Sequence, residues 1–333
     1  MIEFRHRDQA IRLNAGDTYA SVVAKSYSDT PARTVRALVA EIESGTPWRE
    51  AVRKRYEKAH PWLARIVTDP ARDLFFRQHP PSPGTRVLDI GAGWGQLALP
   101  LARTTEVTAL EPAPEKLAFI RAAADQEKLS SRMHFIQADF LDVDFATKFD
   151  LVTCIGVLEW VPTFRPGDPQ KIVAEFLQRI RALLAPGGRL VVGIENRLGL
   201  KYLMGALDDH LGVAEIAVYD HPLAAKKWAD HGKKELRSFT YTRQELQELL
   251  SSAGLTDLKF FAALPDYKLP GVILPLGKEV EEYFDRGHFV TETEGYSGQT
   301  LTFQPELQSH YHSLGRLKIA SNFVPSFYVV AQG

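Results

Sequence analysis

The chain has 333 residues, enough to bury a large core in one big domain or in two smaller ones. Lys and Arg total 40 against 41 Asp and Glu, so the formal net charge is -1. This nearly equal number of basic and acidic residues disfavours nucleic-acid or anionic-membrane partners, because both select for basic surfaces. With 45% apolar and 24% charged residues, the composition is typical of a soluble globular protein.

Cysteine usage and hydropathy set the expected compartment. Cys154 is the only cysteine, so no internal disulfide and no Cys-rich metal cage can form. The opening "MIEFRHRDQAIRLNAG" lacks an apolar core of signal-peptide length, and no stretch approaches the ~20 apolar residues of a membrane helix. The sequence therefore predicts a soluble, cytoplasmic protein with no integral membrane segment.

The first ~80 residues are predicted to form a helical extension that closes over the rest of the chain as a lid. Three helix starts, at 30–31, 46–47 and 69–70, share a capping side chain followed by proline. The Pro-rich stretch 77–85 is a plausible linker. One helix face is predicted from apolar residues at i, i+3, i+4 and i+7: Val35, Leu38, Val39 and Ile42.

From residue 86 onward, short apolar runs alternate with amphipathic helices. The runs are predicted buried strands, at 86–90, 106–110, 133–137, 149–155 and 188–194. Helices are predicted between them, near 96–103, 114–128 and 169–184. This alternation predicts an α/β fold: a Rossmann-like, doubly wound, mostly parallel seven-stranded sheet with helices on both faces.

The C-terminal half is predicted to complete this core and to carry two insertions. Residues 196–240 are polar and irregular, whereas 242–254 and 258–264 are a predicted helix and strand that end a core running from 81 to 264. Residues 265–325 form an excursion too long for an ordinary connection, so we expect an inserted lid or substrate region. Residues 326–333 are a predicted closing strand of the core sheet.

The stretch "VLDIGAGWGQLALPLA" places a glycine turn between a strand and a helix. Gly91, Gly93 and Gly95 have the spacing G-x-G-x-G, whereas a dinucleotide fingerprint needs G-x-G-x-x-G. The third place of that fingerprint is Gln96, and the Gly-Lys-Ser/Thr ending of a phosphate loop is absent. The backbone can therefore approach a ligand closely here, but nothing predicts a phosphate cradle.

Acidic side chains follow the next two strands. Glu111 ends the second strand, where a carboxylate can accept both hydroxyls of a ribose. Asp139 and Phe140 follow the third strand and are well placed for the edge and face of an adenine. The ligand predicted by these positions is an adenosine without a diphosphate, and S-adenosylmethionine meets that description.

Residues 86–195 resemble a class I S-adenosylmethionine-dependent methyltransferase, with its Asp-x-Gly-x-Gly-x-Gly motif, second-strand acid and later Asp. The resemblance implies that Asp89 and the glycine turn hold the methionine portion, Glu111 the ribose and Asp139 the adenine. The predicted cofactor-binding residues are Asp89, Gly91, Gly93, Gly95, Glu111, Asp139, Phe140 and Ile155.

A narrower resemblance concerns "IGVLEW", "IENRLGLKY", "DDH" and "PDYKLP", which are similar to segments of methyltransferases found among polysaccharide and O-antigen biosynthesis proteins. Trp160 and the stretch "LMGALDDHLG" depart from their usual pattern. Residues 196–240 become, on this interpretation, an insertion on the acceptor side. The predicted substrate-binding residues are Trp160, Asn196, Arg197, Tyr202, Asp209 and Tyr267.

His210 is the first candidate for a catalytic base, because a hydroxyl is a poor nucleophile until its proton begins to leave. The alternative is a surface histidine capped by its acidic neighbours. Glu195 is a competing base with Asn196 and Arg197 as orienting partners, and Glu159 faces the acceptor or packs at a strand end.

Metal binding and base methylation are not predicted. His310 and His312 in "SHYHS" alternate as on a strand, but no third ligand has a clear spacing. The Asn/Asp-Pro-Pro-aromatic signature of enzymes that methylate amino groups of nucleic acids is missing after the fourth strand.

The sequence thus predicts S-adenosylmethionine-dependent methylation of an oxygen on a small molecule or saccharide in a biosynthetic pathway. Three alternatives stay open: an N-methyltransferase with an acid-lined acceptor pocket, a nicotinamide oxidoreductase, and a non-catalytic protein that retains the fold. The oligomeric state is also open, with a homodimer as one possibility.

Overall fold

The computed structural model describes residues 1–23, 25–291 and 304–333, and the chain divides into two compact units. The first unit consists of Met1–Ile155, Gln178–Val191 and Gln332–Gly333. The second consists of Gly156–Leu177 and Val192–Ala331.

The first unit contains eight complete strands: β1 (Ile2–His6), β2 (Gln9–Leu13), β3 (Thr18–Ala20), β4 (Arg86–Ile90), β5 (Glu106–Leu110), β6 (Met133–Gln137), β7 (Val143–Phe145) and β8 (Phe149–Ile155). Its helices are α1 (Ala32–Glu43), α2 (Trp48–Tyr56), α3 (Pro61–Thr68), α4 (Leu74–Gln78), α5 (Ala98–Leu101) and α6 (Pro114–Gln126). Helix α7 (Pro169–Leu183) and strand β9 (Leu184–Glu195) begin in one unit and end in the other.

The N-terminal 80 residues are not wholly helical, and in this respect the sequence prediction is wrong. Strands β1 and β2 pair as an antiparallel hairpin, and β1 also pairs with β7 to form a separate three-stranded sheet. Strand β3 pairs in parallel with β6. Among the described residues the first helix begins at Ala32, and α1 buries the predicted face of Val35, Leu38, Val39 and Ile42.

The large sheet of the first unit has the strand order β9-β8-β4-β5-β6-β3. Strands β4, β5, β6 and β8 are mutually parallel, as the alternation of strands and helices predicts. The chain runs outward from β4 through β5 to β6, then returns to place β8 on the other side of β4. The carboxyl end of β4 is therefore a topological switch point, the position where open α/β sheets bind their ligands.

The second unit contains α8 (Leu200–Leu203), α9 (His221–Asp230), α10 (Arg243–Ser252), β10 (Thr256–Leu264), β11 (Val272–Pro275), α11 (Lys278–Asp285), α12 (Gln304–Arg316) and β12 (Ser326–Gln332), whose last residue belongs to the first unit. Its strand order is β11-β10-β12-β9, with β10 and β11 antiparallel. Helix α10 begins with a capping box between Thr242 and Glu245.

Strand β9 belongs to both strand orders. The described residues therefore contribute nine strands to the large sheet, whereas the sequence predicts seven. The additional strands are short and lie at the two edges, β3 and β11. The predicted excursion 265–325 contains β11, α11 and α12, while its residues 292–303 lie outside the described part of the chain. Its function as a lid stays a prediction.

Aromatic contacts fix the helices of the second unit's C-terminal part and of the first unit's N-terminal part. Phe284 of α11 stacks on Tyr311 of α12, with ring centroids 4.4 Å apart. In the first unit, the ring of Phe119 in α6 contacts the Trp48 ring edge-on, with ring centroids 5.8 Å apart.

None of the helices in the described ranges combines the length and the apolar character that crossing a membrane requires.

Candidate functional site

The glycine turn after β4 has the backbone conformation that its spacing predicts. Gly91, Gly93 and Gly95 have φ values of 68°, 57° and 74°, in the left-handed region that other residues rarely adopt. The N–H of Gly91 donates to the carbonyl of Leu110 at 2.8 Å, which fixes the turn beside β5. A Cβ on Gly95 would lie 3.2 Å from Leu99 and Ile120, so that glycine also allows the helices to pack.

Glu111 lies directly beside this turn. Its Oε2 accepts the Gly93 N–H at 2.8 Å, and its Oε1 accepts the Ala113 N–H at 3.0 Å. An ionised carboxylate offers about four acceptor positions, so two stay available for the paired hydroxyls of a ribose. Burial raises the pKa of Glu111, while nearby Lys116 opposes that rise. These free acceptor positions fit the hydroxyls of an adenosine.

Asp89, the last but one residue of β4, is 3% exposed and accepts a hydrogen bond from the Thr153 hydroxyl at 2.6 Å. Burial raises the pKa of this carboxyl to about 6, against the lowering effect of the Thr153 hydrogen bond. A buried carboxylate at this place suits a positively charged ligand group, because a cation restores the favourable field that water would otherwise provide.

The remaining predicted cofactor residues lie at neighbouring strand ends. Asp139 follows β6, and its Oδ1 accepts the Leu141 N–H at 2.9 Å to cap the short helical turn 140–142. Phe140 and Ile155 are each 5% exposed, and Ile155 is the last residue of β8. The first unit therefore brings the predicted cofactor-binding residues to the carboxyl edge of its parallel strands.

The sequence did not single out a polar cluster that adjoins the glycine turn. Asp29, in the segment before α1, accepts from the indole Nε1 of Trp94 at 3.1 Å and pairs with Lys116 at 3.1 Å. Lys116 Nζ also lies 5.0 Å from the ring centroid of Tyr27. Lys116 follows Glu111 in "EPAPEKL", but its partner is 87 residues away, so spacing alone could not predict the pair.

His210 is buried among carboxylates in the second unit, with a side chain only 4% exposed, so the alternative of a surface histidine is wrong. Its Nε2 lies 3.5 Å from Glu159 Oε1 and 3.5 Å from Glu195 Oε2, and both glutamates are fully buried. The imidazole contacts the Trp160 ring edge-on at 5.1 Å. Four residues predicted for the acceptor side therefore lie together.

These carboxylates determine the protonation of His210. Burial lowers its pKa, but Glu195 and Glu159, with a smaller contribution from Asp208, outweigh burial and raise the pKa to about 9. The imidazole is therefore protonated at neutral pH in this arrangement. Asp208 Oδ1 lies 3.8 Å from Nδ1 and accepts the backbone N–H groups of His210 and Leu211, each at 2.8 Å.

Two lysines extend the cluster, and the sequence prediction missed both. Lys201 pairs with Asp209 at 3.0 Å, and both side chains are at least nine-tenths buried. Lys268 forms a short hydrogen bond with Glu195 and lies 3.6 Å from Asp266. Burial lowers the pKa of Lys268, but Asp266 and Glu195 prevail and raise it well above its usual range.

Asn196 and Arg197 use their polar groups to hold the end of β9 in place. Both Asn196 N–H donors are taken, by the carbonyls of Asn322 at 2.9 Å and Val324 at 2.8 Å. Arg197 pairs with Glu245 at 2.9 Å. These contacts suit the predicted role of orienting Glu195, while direct contact with a substrate stays a prediction.

Several buried polar atoms of the second unit have no hydrogen-bond partner among the described residues. They include both oxygens of Glu159, Oε2 of Glu195, Nδ1 of His210 and the hydroxyls of Tyr202 and Tyr241. Burial, followed by Asp209 and Glu195, raises the pKa of Tyr202, and burial, followed by Glu159, raises the pKa of Tyr241. Buried polar atoms in a native site are normally satisfied, so this group indicates a place that binds a polar ligand.

Gly156 shapes the same part of the second unit. Its φ is 72°, and a Cβ built on it would lie 2.8 Å from the Tyr267 hydroxyl oxygen. Tyr267 is itself fixed at both backbone groups: its N–H donates to the Ser326 hydroxyl, and its carbonyl accepts the Tyr328 hydroxyl. A glycine here lets the tyrosine ring approach the backbone that follows β8.

His310 and His312 lie on helix α12, so the expectation that they alternate as on a strand is wrong. Nδ1 of His310 interacts with the carbonyl of Glu306 at 2.7 Å, and Nδ1 of His312 with that of Phe284 at 3.0 Å. They take no part in the cluster around His210.

Residues 87–188 match the family model described as a methyltransferase domain. Together with similarity to curated O-methyltransferases, this match identifies residues 87–188 as a class I S-adenosylmethionine-dependent methyltransferase domain, with S-adenosylmethionine as its cofactor. The chain is 29% identical over 184 residues to the ubiquinone biosynthesis O-methyltransferase of Coxiella burnetii, an alignment covering 52% of this chain and 74% of the relative.

The protein of the same name from Psychrobacter arcticus is 32% identical over 176 residues, covering 52% of this chain and 60% of the relative. Among solved structures, phosphoethanolamine N-methyltransferase 2 of Haemonchus contortus with S-adenosyl-L-methionine aligns at a TM-score of 0.45 and 16% identity, over 88% of this chain and 59% of that one. The fold of the first unit is defined directly by its strand order.

Proposed function

We propose that the protein transfers the methyl group of S-adenosylmethionine to an oxygen of a small-molecule acceptor in a biosynthetic pathway. The observation that carries this proposal is the buried group of Glu159, Glu195 and His210, in which three carboxylate oxygens have no hydrogen-bond partner among the described residues. Such oxygens accept hydrogen bonds and cannot donate them, so they suit an acceptor that presents a hydroxyl. The names of the curated relatives support O-methylation.

The first unit is assigned the cofactor. Glu111 would accept the ribose hydroxyls, the turn of Gly91 and Gly93 would let the backbone approach the methionine portion, and Asp89 would face its positive charge. Asp139 and Phe140 are assigned the adenine, and Ile155 a place beside it. Bound S-adenosylmethionine supplies a methyl group activated by the positive sulfur.

The second unit is assigned the acceptor. The hydroxyl of the acceptor would donate to Glu159 or Glu195 and lose its proton to that carboxylate, as the oxygen–carbon bond forms, the carbon–sulfur bond breaks and S-adenosylhomocysteine is left. Asn196 and Arg197 hold Glu195 in place through Asn322, Val324 and Glu245. Burial of the two glutamates excludes water, which strengthens the hydrogen bond in the transition state. Most of the acceleration would come from alignment of the reacting atoms.

The acceptor class is proposed as a hydroxylated small molecule, and a saccharide is our preferred example. Similarity of "IGVLEW" and "PDYKLP" to methyltransferases of polysaccharide biosynthesis supports a saccharide. Trp160 and Tyr267 lie in these two segments, and aromatic faces suit the apolar faces of sugar rings. A phenol is the other hydroxyl acceptor to include in the test.

N-methylation is a second candidate, because the cluster is rich in acids. Five carboxyl groups, of Glu159, Glu195, Asp208, Asp209 and Asp266, belong to the same network of ion pairs as His210. A network with this composition also suits an ammonium group. An amine acceptor must lose its proton before it can attack carbon, so strong binding of ammonium would slow transfer unless the site also removes that proton.

A panel of acceptors tests the proposal. The purified chain is incubated with S-adenosylmethionine and with matched pairs of acceptors, a sugar or phenol and its amino counterpart, and products are analysed by mass spectrometry for the gain of one methyl group. We expect a gain on hydroxyl acceptors that requires Glu159 and Glu195. A gain confined to the amino counterparts would favour the second candidate.

A further inference from the structure

Three side chains of metal-ligating type converge in the interior of the second unit. Glu159 lies in the turn 158–160 after β8, Glu195 ends β9, and His210 lies in the loop after α8. One ligand atom from each lies within 4.8 Å of the others. The two glutamates are fully buried, and the histidine side chain is 4% exposed.

The distances among these atoms do not suit direct hydrogen bonds. Nε2 of His210 lies 3.5 Å from an oxygen of each glutamate, beyond the 2.7–2.9 Å of a charge-assisted N–H to carboxylate bond. Two ligand atoms on a tetrahedral ion, with bonds of about 2.1 Å, are separated by about 3.4 Å. The separations on both sides of Nε2 therefore have the size of the edges of a coordination polyhedron.

Unpartnered polar atoms provide an independent observation. Both oxygens of Glu159 and the Oε2 of Glu195 have no hydrogen-bond partner among the described residues. The buried hydroxyls of Tyr202 and Tyr241 are likewise without partners there, and both phenols experience the negative charge of these glutamates. A fully buried carboxylate is costly unless a cation or hydrogen-bond donors compensate it, and Glu159 accepts no hydrogen bond from the described residues.

We propose that Glu159, Glu195 and Nε2 of His210 form a binding site for one divalent transition-metal cation. A mixed set of one imidazole and two carboxylates suits ions such as Zn²⁺, Co²⁺ or Mn²⁺. The cation takes the place of the imidazole proton as the positive charge between the two carboxylates. Asp208 positions the loop that carries the imidazole, because its Oδ1 accepts the backbone N–H groups of His210 and Leu211.

Three protein ligands leave coordination positions open for water or an acceptor oxygen, the pattern of catalytic rather than structural sites. Lys268, which pairs with Glu195, neutralises part of the charge and favours a cation of charge two over a more highly charged ion. The existence of the site does not depend on which acceptor is methylated, so it can be tested in the absence of any acceptor.

Cobalt binding to the full chain tests the site. The protein is dialysed against a chelator and titrated with Co²⁺, with the visible absorption of the ion and the bound metal per chain as readouts. We expect one Co²⁺ per chain, with a spectrum typical of four or five ligands. Asp208→Ala, which removes the acceptor that holds the His210 backbone, should weaken binding by about 10- to 100-fold, as loss of an orienting partner does. Glu159→Gln and His210→Gln should weaken it further.

His310→Gln is the matched control, because His310 is exposed on α12 and lies outside the cluster. It should bind Co²⁺ as the unchanged chain does. Binding of S-adenosylhomocysteine and the near-ultraviolet circular dichroism of each variant report whether it is folded. If Glu159→Gln does not fold, the stoichiometry and spectrum of the unchanged chain decide the question.

The proposal is overturned if the unchanged chain binds no Co²⁺, Zn²⁺ or Mn²⁺, or if folded Glu159→Gln binds the ion as tightly as the unchanged chain. An equal loss of binding in His310→Gln would assign the ion to the surface. Stabilisation by methylammonium chloride but by none of the metal ions would instead make the cluster an ammonium site.

Discussion

Glu111 accepts the backbone N–H of Gly93 at 2.8 Å and thereby connects the end of β5 to the glycine turn after β4. One carboxylate oxygen thus stabilises a backbone conformation that only glycine adopts readily, while other acceptor positions of the same carboxylate stay available. The pair couples the shape of the turn to the chemistry proposed for ribose binding. Replacing Glu111 should therefore affect cofactor affinity through both.

Glu111→Gln should weaken binding of S-adenosylhomocysteine by roughly ten- to a hundredfold. The amide must present an N–H₂ group to either Gly93 or Ala113, whose N–H groups both donate, and charged hydrogen bonds contribute about 1.5–3 kcal/mol. Tryptophan fluorescence on titration with the ligand measures the change. Glu115→Gln, on the surface side of α6 in a pair with Arg36, is the control. Equal affinities of both variants would contradict the ribose assignment.

Asp89 should make cofactor binding depend on pH. Its pKa of about 6, raised mainly by burial, means that the carboxyl is protonated below that pH and ionised above it. The positively charged ligand needs the ionised form, so we expect affinity to fall as pH drops below about 6. Titrations with S-adenosylmethionine over about three pH units, from about pH 5 to about pH 8, should show this fall in affinity in the unchanged chain and not in Asp89→Asn.

The same pKa gives the opposite sign for the stability of the ligand-free protein. Between the ordinary pKa of 3.8 and about 6, the folded state binds more protons at Asp89 than the unfolded state does. Stability therefore declines as pH rises through this window and is constant above it. Asp89→Asn removes the ionisation and should be more stable than the unchanged chain at pH 7 by about 3 kcal/mol. Thermal unfolding at pH 4 and pH 7 tests whether the difference vanishes at the lower pH.

Gly156→Ala should destabilise the protein by about 2–4 kcal/mol, from left-handed backbone strain and a contact with Tyr267. The added Cβ would lie 2.8 Å from the Tyr267 hydroxyl oxygen. Gly205→Ala is the control, because its φ is also positive but nothing lies within 4 Å. The midpoint of thermal unfolding should fall more for Gly156→Ala, and Tyr267→Phe should recover part of that difference. Equal falls would remove the steric argument.

His210→Ala should lower turnover by about 10²- to 10⁴-fold, because the carboxylates of Glu159 and Glu195 lose the group that lies between them. Affinity for the cofactor should change little, since the proposed cofactor residues are elsewhere in the chain. Single-turnover kinetics with a methylated product as readout separates the two. Unchanged turnover would exclude His210 from the mechanism.

The sequence predicted the strands of the parallel sheet well, because a buried strand needs a short apolar run bounded by breakers. Strands β4, β5, β6 and β8 have the predicted limits, and β9 begins four residues before the prediction. Helices α6 and α10 end within two residues of prediction. The glycine turn was also predictable, because its backbone conformation depends on the local spacing of the glycines.

The N-terminal strands were missed partly because β1 and β3 also pair with strands far along the chain, β7 and β6. Strand β1 pairs with β7, so that Phe4 lies opposite Phe145. Its alternation of buried and exposed side chains was present in "IEFRH", but a single charged hairpin has little apolar content from which to judge it.

The acceptor-side cluster was predictable in its members and not in its connections. Glu159, Glu195 and His210 were singled out by motif, yet only the fold makes the histidine buried and places it between the two carboxylates. Lys268 joins them from 58 residues beyond His210, and nothing in its local sequence indicates an ion pair with Glu195. Tertiary contacts of this kind carry no local signal.

Calorimetric titration of the unchanged chain with S-adenosylmethionine tests the central claim most directly. We predict the heat of one site per chain and none with NADH, because Gln96 occupies the place of the third glycine that a dinucleotide requires. Absence of heat with S-adenosylmethionine, or binding of NADH in its place, would contradict the account.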